Sequence, residues 1–237
     1  MMYPVRQEIW EKELDMKNNA NLIVMLTEHD QTVMNAHEIF NQCKDSDALY
    51  WGFKEQPLPI DEMKELFKLM KECGKTTVLE IVAYTEKECM AGAKKAAECN
   101  CDILMGTLFF DSVNEFCKKH SIKYMPFIGN VSERPSILEG EINSIIKQAK
   151  EYLKKGVYGL DLLSYRYTGD VNELNEKIFA EIDAPICIAG SINSMERLDA
   201  VKKLSPWGFT IGSAFFQNKF GNNFPDQINT VCQYINE

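Results

Sequence analysis

Ala184-Pro-Ile-Cys-Ile-Ala-Gly-Ser191 and Trp207-Gly-Phe-Thr-Ile-Gly-Ser213 decide the reading of this chain. Each is a short apolar run that stops at a Gly-Ser pair, Gly190-Ser191 and Gly212-Ser213, which predicts a strand ending in a tight turn. Glycine lets the backbone come close to a ligand and adopt dihedrals that other residues avoid. Serine adds a hydroxyl and can cap a following helix. Two such turns side by side would point several N–H groups at one small anion.

Working outward, strand-like and helix-like patterns alternate from residue 21 to the end with no linker or low-complexity stretch between them. The strand candidates are Asn21–Leu26, Ala48–Phe53, Thr76–Val82, Asp102–Met105, Tyr124–Ile128, Val157–Leu163 and the two Gly-Ser segments. Helical runs cover about Gln31–Cys43, Asp61–Cys73, Glu86–Glu98, Asp111–His120, Gly140–Lys155, Val171–Ile182, Ser194–Lys203 and Pro225–Ile235. In the second of these, Met63, Leu66, Phe67 and Met70 recur at three- and four-residue spacing and mark a core face. Strict alternation predicts a parallel sheet covered by helices. Eight β/α units predict an α/β (β/α)8 barrel, in which the loops after strands 7 and 8 commonly form a phosphate site. Arg6–Lys17 reads as an extra amphipathic helix, suited to closing the barrel bottom or docking on a partner subunit. The expected organisation is a single domain over residues 1–237, with 1–20 the N-terminal helix and 21–237 the barrel.

With 237 residues and 45% apolar content the chain can bury a large core. A net charge of −9 argues against broad binding to nucleic acid or acidic membranes, which needs a positive field. No apolar run of about 18 residues exists to span a bilayer, and no apolar stretch follows a basic N-terminal region, so a cytoplasmic protein is expected. The eight cysteines lack CxxC spacing, and His29, His37 and His120 show no ligand spacing with them. Free thiols, no metal site and no cofactor are therefore expected. No GxGxxG follows the first strand and no GxxxxGK[ST] is present, which removes the common nucleotide signatures.

Ile188-Ala-Gly-Ser-Ile-Asn-Ser-Met-Glu-Arg197 and Thr210-Ile-Gly-Ser-Ala-Phe215 resemble the turns after strands 7 and 8 of the phosphate-binding barrels, the ribulose-phosphate-binding group of sugar, histidine and tryptophan metabolism. The resemblance implies that Gly190, Ser191, Gly212 and Ser213 hold a substrate phosphate. Many members carry two successive glycines after strand 7, whereas here Ser191 takes the second place. A backbone needing positive φ there would be strained. The aldolases of this group that form a Schiff base carry a lysine on strand 6, and none lies between Val157 and Tyr167, which disfavours a covalent aldolase.

Catalytic groups of a barrel sit at the C-terminal ends of the strands. There the first strand offers Thr27-Glu28-His29-Asp30, with His29 suited to proton transfer near neutral pH. The same four residues equally read as the N-cap and first-turn acid of the next helix. Glu80, set in Val78-Leu-Glu-Ile-Val82, is the first candidate for a general base, because a carboxylate in so apolar a strand is costly without a partner or a polar mouth. A structural glutamate ion-paired to Lys54 would look the same. Lys54 is the lysine near a strand end able to act in catalysis. Asp161 resembles Glu80 in its setting, and the two could form an acid/base pair across the mouth. Thr107, Asn130 and Arg166 are candidates for binding substrate, Arg166 for a carboxylate or second phosphate.

The expected function is an enzyme on a small phosphorylated metabolite, moving a proton next to a carbonyl or imine as an isomerase, epimerase or carbon–carbon lyase. The alternative is a ligand-sensing barrel resembling the glycerol-3-phosphate-responsive antiterminators, which Asp47–Val82 matches in layout, or a catalytically silent phosphate-binding barrel. A homo-oligomer is left open by the sequence.

Overall fold

The computed structural model describes residues 20–237, so the helix predicted over Arg6–Lys17 lies outside the described residues. Eight parallel strands form the sheet: β1 (Asn21–Met25), β2 (Tyr50–Lys54), β3 (Thr76–Ala83), β4 (Ile103–Thr107), β5 (Lys123–Met125), β6 (Leu160–Leu162), β7 (Ile186–Ile188) and β8 (Gly208–Ile211). Their order is β6-β7-β8-β1-β2-β3-β4-β5. A parallel bridge between Phe127 and Asp161 joins the two outer strands. The Asp161 amide donates to Pro126 O at 2.9 Å and the Tyr158 amide to Tyr124 O at 3.0 Å. The sheet is thus a closed (β/α)8 barrel.

The helices alternate with the strands as α1 (Ala36–Cys43), α2 (Ile60–Glu72), α3 (Glu86–Glu98), α4 (Asp111–Lys119), α5 (Ile142–Lys154), α6 (Val171–Glu181) and α7 (Met195–Leu204), followed after β8 by the short α8 (Ser213–Phe216) and by α9 (Phe224–Asn236). Side-chain caps mark several of their starts. The side chains of Asp170, Ser194 and Asn223 each accept a first-turn amide of α6, α7 and α9. In α2 the stripe Met63, Leu66, Phe67 and Met70 is fully buried, each side chain contributing about 1.5–3 kcal/mol of transfer free energy.

Strand alternation divides the apolar residues into two bodies. Outward residues such as Leu22, Val24, Leu79 and Leu104 pack under the helices. Inward residues Ile23, Met25, Val78, Ile103, Met105, Met125 and Cys187 fill the barrel. Trp207 meets Tyr50 and Tyr158 edge-on at 5.4 and 5.9 Å at the lower end of that filling.

Two hairpins break the simple rhythm on the opposite, C-terminal side. The helix predicted from Gln31 starts only at Ala36, because Gln31–Thr32 pairs antiparallel with Thr27–Glu28. His29 and Asp30 at its tip both have positive φ, 48° and 64°, as a two-residue primed turn requires. The second hairpin, Asn130–Ser132 with Ile137–Glu139, occupies a stretch that the sequence reading leaves unassigned.

Candidate active site

The turns after β7 and β8 bound one cavity of about 220 Å3 at the C-terminal mouth, lined at one end by Gly190, Ser191, Asn193, Gly212 and Ser213. Thr210 of β8 ties the two turns together, its hydroxyl accepting the Gly190 amide at 3.1 Å. That N–H is therefore engaged within the protein. The amides of Ser191, Ile192 and Asn193 donate to no described residue, nor do those of Gly212 and Ser213, so both turns present N–H groups available to an anion.

Close approach explains both glycines. A Cβ at Gly212 would lie 2.5 Å from Thr27 Oγ1 and 2.9 Å from Thr27 O, where β1 leaves the barrel. Gly190 has φ +78°, and its Cβ would meet Arg166 Nε at 2.8 Å. Ser191 follows with φ +62°, the left-handed position that the sequence marks as strained for serine. Arg197, from the first turn of α7, donates to Ser191 O while its guanidinium lies 4.8 Å over the Tyr165 ring.

The other end of the cavity holds Asp30, Lys54 and Glu80. Lys54 closes β2 with its side chain 8% exposed, its ammonium 3.2 Å from Glu80 Oε1 and bonded directly to Asp30 Oδ1. Burial works against that ammonium, but the charges of Glu80 and Asp30 outweigh it and raise its pKa above the ordinary lysine value. The ion pair with Glu80 that the sequence allows is present, and Glu80 still reaches the cavity. Asp30 is delivered by the first hairpin, which is clamped to β2 through Thr32 Oγ1, accepting the Lys54 amide at 2.9 Å and donating to Lys54 O at 2.7 Å.

Several sequence candidates sit elsewhere. His29, adjacent to Asp30 on the primed turn, points outward with 87% of its side chain exposed and touches only the outer vestibule. Thr107 is fully buried, because Gly106 with φ +87° reverses the strand alternation and sends its hydroxyl into the helix layer. There it lies 2.7 Å from Tyr124 OH, which donates onward to Leu108 O at 3.0 Å. Asn130 is exposed at the base of the second hairpin and does not line the cavity.

Asp161 points into the barrel beside Cys187, its register partner on β7, but lies beneath the cavity at 1% exposure. It therefore does not face Glu80 across an open mouth. Neither carboxyl oxygen has a hydrogen-bond partner among the described residues. Burial first, and then the nearby charge of Glu80, push its pKa well above the usual carboxylate range.

An outer vestibule of about 530 Å3 continues from the cavity and shares Asp30, Lys54, Arg166 and Ser213 with it. Glu55, Arg134 and Pro135 complete its wall. Arg134, on the second hairpin, donates to Val82 O and lies 3.7 Å from Glu55. Asp30, Thr210 and Arg134 are thus site residues that the strand-end rule did not single out. The Ser-Glu-Arg-Pro-Ser run at 132–136 is a turn signal that could have exposed the hairpin. Among the described residues no three His, Cys, Asp or Glu side chains converge as a metal-binding group, and no helix is long and apolar enough to cross a membrane.

No protein-family profile and no curated protein sequence matches the chain. Solved structures do match. Thiamine phosphate pyrophosphorylase from Pyrococcus furiosus is 15% identical, over 93% of this chain and 98% of that one, with a TM-score of 0.64. The N-acetylmannosamine-6-phosphate 2-epimerase from Clostridium perfringens is 15% identical, over 91% and 93%, with a TM-score of 0.62. The tryptophan synthase alpha chain from Legionella pneumophila subsp. pneumophila is 14% identical, over 100% and 98%, with a TM-score of 0.63. These neighbours match nearly the whole of the chain, and the chain has the (β/α)8 barrel fold that its alternating strands and helices predict.

Proposed function

We propose that this barrel is an enzyme that binds a small phosphorylated metabolite and moves a proton on the carbon next to its carbonyl or imine. One observation carries the reading: a single cavity has the two Gly-Ser turns at one end and the Lys54–Glu80 pair at the other. The phosphate would rest on the amides of Ser191–Asn193 with the hydroxyls of Ser191 and Ser213 beside it. At about 220 Å3 the inner cavity lies below the roughly 300–1,000 Å3 typical of sites for drug-sized ligands, which suits a phosphate on a short carbon chain.

In the step we infer, the Glu80 carboxylate accepts the proton from the carbon beside the carbonyl, and the C–H electron pair moves into an enolate. The Lys54 ammonium, kept charged by Asp30, donates to the developing enolate oxygen. Return of the proton from Glu80 to the neighbouring carbon, with that carbinol's hydroxyl proton passing to the former carbonyl oxygen, gives an isomer; protonation of the same carbon by a water on the opposite face, whose hydroxide then takes the proton held on Glu80, gives an epimer. Asp161 lies below the cavity, where burial favours its protonated form, and is not a partner touching substrate. The neighbours support the coarser part of this reading, since two of them are named for phosphorylated compounds.

The test works whatever the product. Candidate phosphosugars that raise the melting temperature are incubated with the protein in deuterium oxide, and deuterium uptake at carbon is followed by mass spectrometry. The reading expects uptake with at least one binder and a loss of about 10²–10⁴-fold in Glu80→Gln. Binding with no exchange in the wild-type protein would favour the ligand-sensing alternative.

A further inference from the structure

Resting on that reading, we propose that the recognised molecule carries a second anionic group, a carboxylate or phosphate, and that Arg166 selects for it from the boundary between cavity and vestibule. Three cationic side chains face this space. Lys54 is held between Asp30 and Glu80, and Arg134 is engaged by Val82 O and Glu55. Arg166 makes no ion pair among the described residues. Its one hydrogen bond runs from Nη1 to Ser136 O, at 3.3 Å, on the second hairpin.

The position of Arg166 is fixed from both sides. Its side chain leaves the short 3-10 turn after β6, runs against Gly190, where a Cβ would lie 2.8 Å from its Nε, and reaches the hairpin at Ser136 O. The hairpin is held in turn by Tyr84, whose hydroxyl donates to Glu133 O at 2.6 Å and lies 2.8 Å from Ser136 Oγ. A guanidinium presents five N–H donors in a planar fork matched to a carboxylate or phosphate. With one donor used, the rest of the fork lies where the cavity opens into the vestibule, since Arg166 lines both. In a chain of net charge −9, a half-buried cation without a carboxylate beside an anion-binding cavity is placed for a ligand. The amides of 191–193 already serve the first phosphate, so the remaining donors of Arg166, which lies against the Gly190 turn and also lines the vestibule, are left for a second anionic group on the vestibule side of that phosphate.

The experiment compares affinities by calorimetry for inorganic phosphate, glycerol 3-phosphate, a phosphorylated carboxylic acid such as 3-phosphoglycerate, and a sugar bisphosphate. Wild-type protein should bind the phosphocarboxylate or the bisphosphate about 10–100-fold more tightly than glycerol 3-phosphate, the range expected for hydrogen bonds to a charged group. Whichever of the two is preferred identifies the second group. In Arg166→Met that ratio should collapse toward one, and in Arg166→Lys, which keeps charge but loses the fork, it should fall part of the way. Equal affinities in the wild type, or a ratio unchanged in Arg166→Met, would overturn the inference. If inorganic phosphate and every phosphorylated probe fail to bind, the proposed function itself falls, a result distinct from either.

Discussion

Replacing Lys54 by Met removes the one cation between two carboxylates. The side chains of Lys54, Asp30 and Glu80 are 8%, 18% and 16% exposed, so little water is available to take the place of the ammonium. Breaking a buried ion pair from one side costs about 3–5 kcal/mol. The partial access of both carboxylates to the cavity places this site near 3 kcal/mol. For a domain of this size that corresponds to a fall in Tm of roughly 6–12 °C. The assay is urea unfolding followed by intrinsic tryptophan fluorescence, to which the buried Trp51 contributes. The same experiment on Asp30→Asn/Lys54→Met/Glu80→Gln removes all three charges and should recover most of the loss, because no uncompensated carboxylate remains. The pH dependence carries a definite sign. The Lys54 pKa is raised in the fold, so its stabilisation is complete below the ordinary lysine value of 10.5 and is lost as pH rises through the higher folded value. Lys54→Met should lack that alkaline loss. A single variant within about 1 kcal/mol of wild type, or a triple variant no more stable than the single one, would refute the reasoning.

Three further outcomes follow from the geometry. Gly212→Ala should destabilise by about 1–3 kcal/mol through overpacking against the Thr27 backbone and should abolish phosphate-induced thermal stabilisation, both measurable in one melting series. Asp161→Asn should become more stable relative to wild type as pH rises above about 4: the carboxyl titrates higher folded than unfolded, so wild-type stability falls across that interval, and paired urea titrations check the trend. Ser191→Gly should change stability by no more than about 1 kcal/mol, because relief of the left-handed strain is offset by unfolded-chain entropy, whereas Ser191→Val should cost more than that in the same urea assay.

The architecture was legible because each β/α unit carries its own periodic signal, and because the two Gly-Ser turns fall where a barrel brings them together. Glu80 and Lys54 could be picked out for a local reason: charge in an apolar strand needs an explanation, and each explains the other. What escaped was set by backbone reversals that residue type does not announce. Gly106 turns Thr107 away from the mouth, and the primed turn at His29-Asp30 exchanges the expected imidazole for the neighbouring carboxylate. The strands of two and three residues in the hairpins are too short to show a period, so Arg134 and its place over the mouth could not be located from pattern alone.

The seam between β5 and β6 has a mechanical consequence. Every other neighbouring pair in the ring is a registered ladder, but this joint rests on a lone bridge and a few backbone bonds, one of which, Ile128 N to Asp161 O, stretches to 3.3 Å, while Pro126 brings no amide at all. Breathing of the barrel should start there, and solvent exchange at the Asp161 and Ile128 amides should outpace that at Leu79 or Leu104. The ring is hinged at the strand that carries its buried acid, so each opening would momentarily wet a carboxyl that the closed form keeps dry.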